Sequence, residues 1–245
     1  MPAHASAPPE RQNGFTTALN VIIAPHEAFK TLRIAPTWGW AFLIAGVLGL
    51  VGAVMNLPAS THGTAASIAH QMATNPQYAQ MSEVQRQQLQ SYSLAAVRFG
   101  WLFVPIFLLL SVLFQTVIML ASSAIGGGSG TFKILWACAM NIAIPGFGLY
   151  YLATGIIALV RGPATYNSSL DSFLTIPSLG WLLPHGSPAT VAFFSTINPF
   201  SIWTLYLTAG AMLIVARTSK INAYLVASLI WLIAAAFSMW AGSRS

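Results

Sequence analysis

Residues 99–133 read FGWLFVPIFLLLSVLFQTVIMLASSAIGGGSGTFK. From Phe99 to Ile125 there is no charged side chain. A helix needs about 20 such residues to cross a bilayer, so this stretch predicts a membrane span closed by the glycine run. The continuation, GGGSGTFK at 126–133, raises a second possibility. Glycines followed by a hydroxyl residue and a lysine are the materials of a phosphate cradle. That cradle requires the order G-x-x-x-x-G-K-[ST], with a strand before it and a helix after it. Here Lys133 follows Thr131 and Phe132, and the preceding element is a span. The string therefore predicts a flexible turn between two membrane helices, with Thr131 as N-cap and Lys133 at the headgroups. No nucleotide partner is expected.

The rest of the chain agrees with the span. Charged residues make up 6% of 245, where soluble domains carry about 25%. Apolar residues make up 56%, and mean hydropathy is +0.69. Four further apolar stretches reach spanning length: Trp38–Leu57, Ile134–Val160, Pro199–Ala216 and Ile221–Gly242. Pro58 closes the first. In the third, PGFG at 145–148 interrupts the pattern, and Pro145 removes one helix hydrogen bond. The halves on either side are too short to cross alone, so one kinked span is expected. The fold class is an all-α polytopic bundle of five transmembrane helices.

The net charge of +6 does not point to nucleic acid. The ten Lys and Arg never gather into a stripe, and most flank apolar runs, where they orient helices. With the N-terminus inside, the cytoplasmic side would hold Arg11, Lys30, Arg33, Lys133, Arg217 and Lys220. The outer side would hold Arg86, Arg98, Arg161 and Arg244. This bias favours a cytoplasmic N-terminus and an external C-terminus in an inner or plasma membrane. Residues 1–14 read as a disordered polar tail without the pattern of a cleaved leader. Residues 15–242 then form the membrane domain.

Three segments outside the spans have their own patterns. Residues 15–33, FTTALNVIIAPHEAFKTLR, read as an amphipathic helix interrupted at Pro25 and lying on the cytoplasmic leaflet. There Phe29, Lys30 and Arg33 would meet anionic headgroups, with Lys133, Arg217 and Lys220 at the same surface. The outer loop 58–98 suggests a helix near the membrane surface. The loop 161–198 is rich in Pro, Gly and Ser, and its pieces FLTI and LGWLLP would dip into the interface.

Catalytic and metal-binding patterns are weak. His26-Glu27 lacks the second histidine of a zinc-protease helix. His62 and His70 lie eight apart with no carboxylate or thiol nearby in sequence. Asp171, His185 and Ser187 could be assembled into a hydrolytic set, but no nucleophile elbow accompanies them. Cys138 is the one cysteine. No catalytic residue, cofactor or metal is expected. The spans carry no ionisable acid, base or histidine, which argues against proton-coupled transport. They do carry Asn56, Gln115, Asn141 and Asn222, with Ser111, Thr116, Thr204 and Thr208. Amides in bilayers mostly join helices; the alternative is a polar path for a small neutral solute past Gln115, Asn141 and the Pro145 kink. Gly46, Gly49 and Gly52 suit close helix contact.

Three stretches together resemble the bacterial branch of the Yip-one domain family of membrane proteins. They are VIIAPHEAFKTLRIAPTWGW at 21–40, GGGSGTFKILWACAMNIAIP at 126–145, and NPFSIWTLYLTAGAMLIVARTSKINAY at 198–224. The resemblance implies a five-span domain with a cytoplasmic N-terminus and no catalytic residues. Eukaryotic members interact with Rab-type GTPases in vesicle traffic and act partly as oligomers. The short region before the first span carries no GTPase-binding motif, so that role is not transferred. The expected function is non-enzymatic membrane organisation or partner binding, with the bilayer and a second copy or another membrane protein as partners. The alternative is a passive channel.

Overall fold

The computed structural model describes residues 13–183 and 186–243. Most of the polar tail, together with Arg11, His185 and Arg244, lies outside them. The described residues fold entirely into helices and connecting turns. This is an all-α integral membrane protein that passes through the bilayer several times. Four helical segments are long and apolar enough to cross, and a bent pair makes a fifth.

The chain opens with a helical hairpin, α1 (Gly14–Ile23) and α2 (Pro25–Ile34). Asn13 caps α1 by accepting from the Phe15 N–H. Pro25 stands at the first position of α2, where its missing N–H costs nothing. The segment is amphipathic, as its spacing predicts: Phe15, Leu19 and Ile23 form an exposed apolar stripe on α1, while the opposite face of the hairpin turns inward. Ala18, Val21, Ala28 and Leu32 are fully buried, and Phe29 is 1% exposed. Phe29 lies against Gly210 of the fourth span. The expectation that Phe29 contacts headgroups is therefore corrected: the sequence pattern cannot distinguish a lipid-facing apolar stripe from one buried against protein.

The first span is α3 (Gly39–Thr74). Pro58 does not close it. The helix runs 36 residues, about 54 Å against a hydrocarbon core of about 30 Å. It is thus longer than the hydrocarbon core is thick, and its second half packs against the residues that follow Arg161. A short turn, α4 (Pro76–Ala79), leads to α5 (Glu83–Gly100), whose start is fixed by a Ser82–Gln85 capping box. Helix α5 packs beside α3 instead of lying flat on the surface. It continues through a single 3-10 turn, Trp101–Phe103, into α6 (Val104–Ile125), making one 43-residue segment.

The third span runs from α7 (Phe132–Ala143) through a π-helical turn, Ile144–Leu149, into α8 (Tyr150–Arg161). It is one continuous element of 30 residues. Pro145, Gly146 and Gly148 sit in the π turn, which widens the helix where Pro145 cannot donate. The fourth span departs from its expected bounds. Helix α10 (Pro199–Ile214) has 16 residues, and it reaches spanning length only with α9 (Pro188–Ser195), from which it bends by 52°. Helix α11 (Lys220–Gly242) is the last span.

Residues 162–183 fold into short 3-10 turns packed against neighbouring helices. With the second half of α3 they build a cap having its own small core, centred on the fully buried Tyr166 with Ala59 and Ala158. The Tyr166 hydroxyl shares a hydrogen bond with Thr175, and His62 donates through Nδ1 to the Tyr166 carbonyl at 2.9 Å. Arg161 lies over the Tyr166 ring. Trp181 and Leu182 remain exposed on the cap.

Helix α3 and the third span approach backbone to backbone. A Cβ on Gly52 would collide with the Tyr151 carbonyl and the Leu152 N–H, and one on Gly155 with the Gly52 carbonyl. Gly46 is different, since its Cβ would meet Leu108 at an ordinary 3.9 Å. Gly52→Ala should therefore cost about 1–3 kcal/mol through overpacking, while Gly46→Ala should leave stability unchanged or slightly raised. Thermal unfolding of the two variants in detergent checks this ordering.

Candidate functional site

The topology carries the α1–α2 hairpin, the α6–α7 turn and the α10–α11 turn to one end of the bundle. Among the described residues this end holds Lys30, Arg33, Lys133, Arg217 and Lys220, with Glu27 as its carboxylate. The opposite end, at the cap, holds Arg86, Arg98 and Arg161 with Glu83 and Asp171. Lys30 donates to Glu27 at 2.9 Å, and the Lys30 ammonium holds the Glu27 carboxyl below its ordinary value. Both are exposed, so the pair adds little to stability. Lys133, Arg217 and Lys220 project from the surface. Apolar side chains stand among these charges: Ile34 is 74% exposed and Ile125 is 89% exposed. Trp38, Phe132 and Trp136 form a crevice beside Lys133, with Phe132 stacked on Trp136 and Trp38 edge-on to it.

The glycine turn is fixed in place. The N–H of Gly128 donates to the Ser123 carbonyl, that of Ser129 to the Ala216 carbonyl at 2.8 Å, and that of Gly130 to Ser123 Oγ. These are the donors a phosphate would require, and they are occupied. A Cβ on Gly128 would lie 2.6 Å from the Ala216 carbonyl oxygen, so the glycine permits contact with the neighbouring turn. Thr131 takes the N-cap position of α7, but its side chain makes no capping hydrogen bond. Across the same end, Ser122 and Asn222 exchange two hydrogen bonds between α6 and α11.

The neighbouring turn contains an unusual residue. Arg217 has φ 56°, the only positive φ outside glycine among the described residues. It follows the end of α10 in a wide turn, with the Thr218 N–H donating to the Met212 carbonyl at 3.2 Å. Glycine is the usual occupant of this position.

The two intramembrane amides serve different contacts. Gln115 donates to Thr208 Oγ1 at 3.0 Å, joining α6 to α10. Asn141, 1% exposed, donates to the Thr37 carbonyl at 2.9 Å and to the Ala137 carbonyl at 2.8 Å. It thereby ties α7 to the link between α2 and α3. Pro145 is buried one turn further along. The centre around these groups is filled by Leu135, Met140, Ile142, Leu207 and Met212, all fully buried.

The remaining chemistry-bearing side chains are spent on local structure. Asp171 Oδ2 accepts from the Asn167 and Ser168 N–H groups, and Ser187 caps α9. His26 is exposed on α2. Among the described residues no three metal-binding side chains converge.

A cavity of about 300 Å³ lies where the elbow between α9 and α10 meets α11 and the π turn. Gly146, Tyr150, Thr204, Thr208 and Trp231 are among the residues lining it. The spacing Ser201, Thr204, Thr208 already places three hydroxyls on one face of α10.

No known protein family, curated protein or solved structure matches the chain. Two outcomes follow from the geometry. Asn141→Leu should cost about 1–3 kcal/mol, because it strands the buried Thr37 carbonyl, while Gln115→Leu should cost about 0.5–1 kcal/mol; unfolding midpoints in detergent rank them. Arg217→Gly should gain about 1 kcal/mol by relieving the left-handed backbone, measured in the same way.

Proposed function

We propose that this protein is a non-enzymatic, Yip-one-like membrane protein that binds a partner, or organises membrane, through its basic end. The observation that carries the reading is the buried α1–α2 hairpin. It fixes Lys30 and Arg33 to the bundle and sets them beside the turns carrying Lys133, Arg217 and Lys220. The result is a preorganised face, and preorganisation lowers the ordering cost of binding. The excess of cations supports a cytoplasmic orientation for this end, with the cap outside, in an inner or plasma membrane. A second copy or another membrane protein is the partner class in view.

The channel reading has less support. The bundle centre is packed with buried aliphatic side chains. Gln115 and Asn141 belong to separate helix contacts, and neither continues the other's polar surface.

Orientation is tested with single cysteines. The native Cys138 is fully buried and stays silent toward water-soluble reagents. A membrane-impermeant maleimide on intact cells should label a cysteine at Gln90 and leave one at Gly127 unlabelled until the cells are opened. The reverse pattern overturns the orientation. Function is tested by photo-crosslinking in membranes from Ile34 and Ile125. A discrete protein adduct should form and be lost in a Lys30→Glu, Arg33→Glu double variant. Lipid adducts alone, with no protein adduct, rule out partner binding at this face.

A further inference from the structure

The cavity beneath the cap has a graded wall. At its cap end stand Ser195, Thr196, Asn198, Ser201 and Ser238, with Phe173 and Phe200 among them; deeper in the bundle stand Leu205, Ala227 and Ile230, with Thr208, whose hydroxyl is already paired with Gln115 and the Thr204 carbonyl. The order follows from the helices, since α10 descends from the cap and α11 rises toward it. A membrane amphiphile has the same gradient, with its polar head near the interface and its tail toward the midplane. Ala234 lines the cavity and is itself exposed, so the cavity opens sideways toward lipid.

The hydrogen bonds define what the wall offers. Ser195 donates to the Val191 carbonyl, Thr196 to Phe193, Ser201 to Asn198, Thr204 to Phe200, Thr208 to Thr204, and Ser238 to Ala192. Each of these serine and threonine protons is thus committed to a backbone carbonyl. The Trp231 indole N–H goes to the Thr196 carbonyl. What these serines and threonines present to the cavity is oxygen lone pairs, with the Tyr150 hydroxyl beside them on the wall. Gln115 already uses that of Thr208, and the Asn198 N–H that of Ser201. The oxygens of Ser195, Thr196, Thr204 and Ser238 receive no hydrogen bond among the described residues. No charged side chain lines the cavity, so an ionic head would be buried unpaired.

The π turn supplies an independent observation. Gly146 lies within it and stands against Thr204, where a Cβ would crowd the hydroxyl. Turns of this kind are rare and recur at functional sites. The volume, about 300 Å³, falls at the small end of ligand cavities.

We infer that this cavity binds a neutral membrane amphiphile whose head carries hydroxyl donors, of the monoacylglycerol type. The head hydroxyls donate to Thr204 and its neighbours under the cap, and the proximal tail lies along Leu205, Ala227 and Ile230. The remaining tail leaves past Ala234 into the leaflet on the cap side.

The probe is 1-oleoylglycerol with a diazirine in its acyl chain, photolysed in proteoliposomes of the full chain. Label should concentrate on the α11 peptide containing Trp231 and Ala234, and excess unlabelled 1-oleoylglycerol should compete it. Its di-O-methyl ether, which has no donors, should compete far less well. Thr204→Val should lower specific labelling about fivefold, the equivalent of one hydrogen bond. Ala234→Leu, which narrows the mouth without touching a polar group, should lower it as well, so a folding defect in one variant leaves the other informative. Equal competition by the ether overturns the inference, as does labelling unchanged in both variants. Label as strong on the lipid-facing side of α6 as on α11 would mean bulk lipid contact and would also overturn it.

Discussion

The close approach of α3 to the third span is the constraint on which the rest depends. Water drives no helix association inside a bilayer, so helices associate through dispersion contact and a few hydrogen bonds. Contact at van der Waals distance between two backbones requires residues without Cβ atoms on both sides. Gly52 and Gly155 meet that need, and Gly49 with Gly148 extend it along the crossing. Once α3 and α8 are fixed together, the second half of α3 continues as one helix past Pro58. The cap then has a wall to fold against, and Tyr166 can be buried there with its hydroxyl paired to Thr175.

The basic end is built by a different economy. Its turns bury Val215 and Ala216 and are further ordered by hydrogen bonds within and between them. Ser129 donates to Ala216, Thr218 to Met212, and the Ser122–Asn222 exchange closes the third side. Gly128 allows this approach, while the N–H groups of Gly126, Gly128 and Gly130 fold back onto Ser122 and Ser123 at the end of α6. The same composition that resembles a phosphate cradle in sequence thus becomes a protein–protein contact within one chain. Composition gives the capacity of a loop to expose donors, and tertiary contact decides whether they stay exposed.

How much of this was legible in the sequence depends on the length scale of each signal. The all-helical membrane class follows from runs such as Phe99–Ile125 alone, because the absence of charge over about 20 residues admits few alternatives. The single third span was readable from the shortness of the halves flanking Pro145. The boundaries were not. Pro58 reads as a stop, yet α3 continues because contacts with α8 and the cap stabilise turns that the proline alone would weaken. The burial of Phe29 was hidden for a related reason: a lipid-facing stripe and a protein-facing stripe have the same periodicity. The cavity was half visible. Ser201, Thr204 and Thr208 mark one face of α10, but Ser195, Trp231 and Ser238 join them only through the 52° elbow between α9 and α10, which no local pattern announces.

Arg217 brings together the stability and charge arguments. A left-handed backbone disfavours any residue with a Cβ, and here it falls just past the end of α10, where glycine is the usual occupant. The chain uses glycine freely at the facing turn, at Gly126, Gly127, Gly128 and Gly130, so its absence at 217 is a property of that position. Arginine gives up backbone ease there and places a cation on a rigid turn, close to Lys220 in sequence and on the same end as Lys133. The strained backbone and the uneven charge are thus two consequences of one choice. The turn that ends α10 is shaped for where its charge stands as well as for how the helix stops.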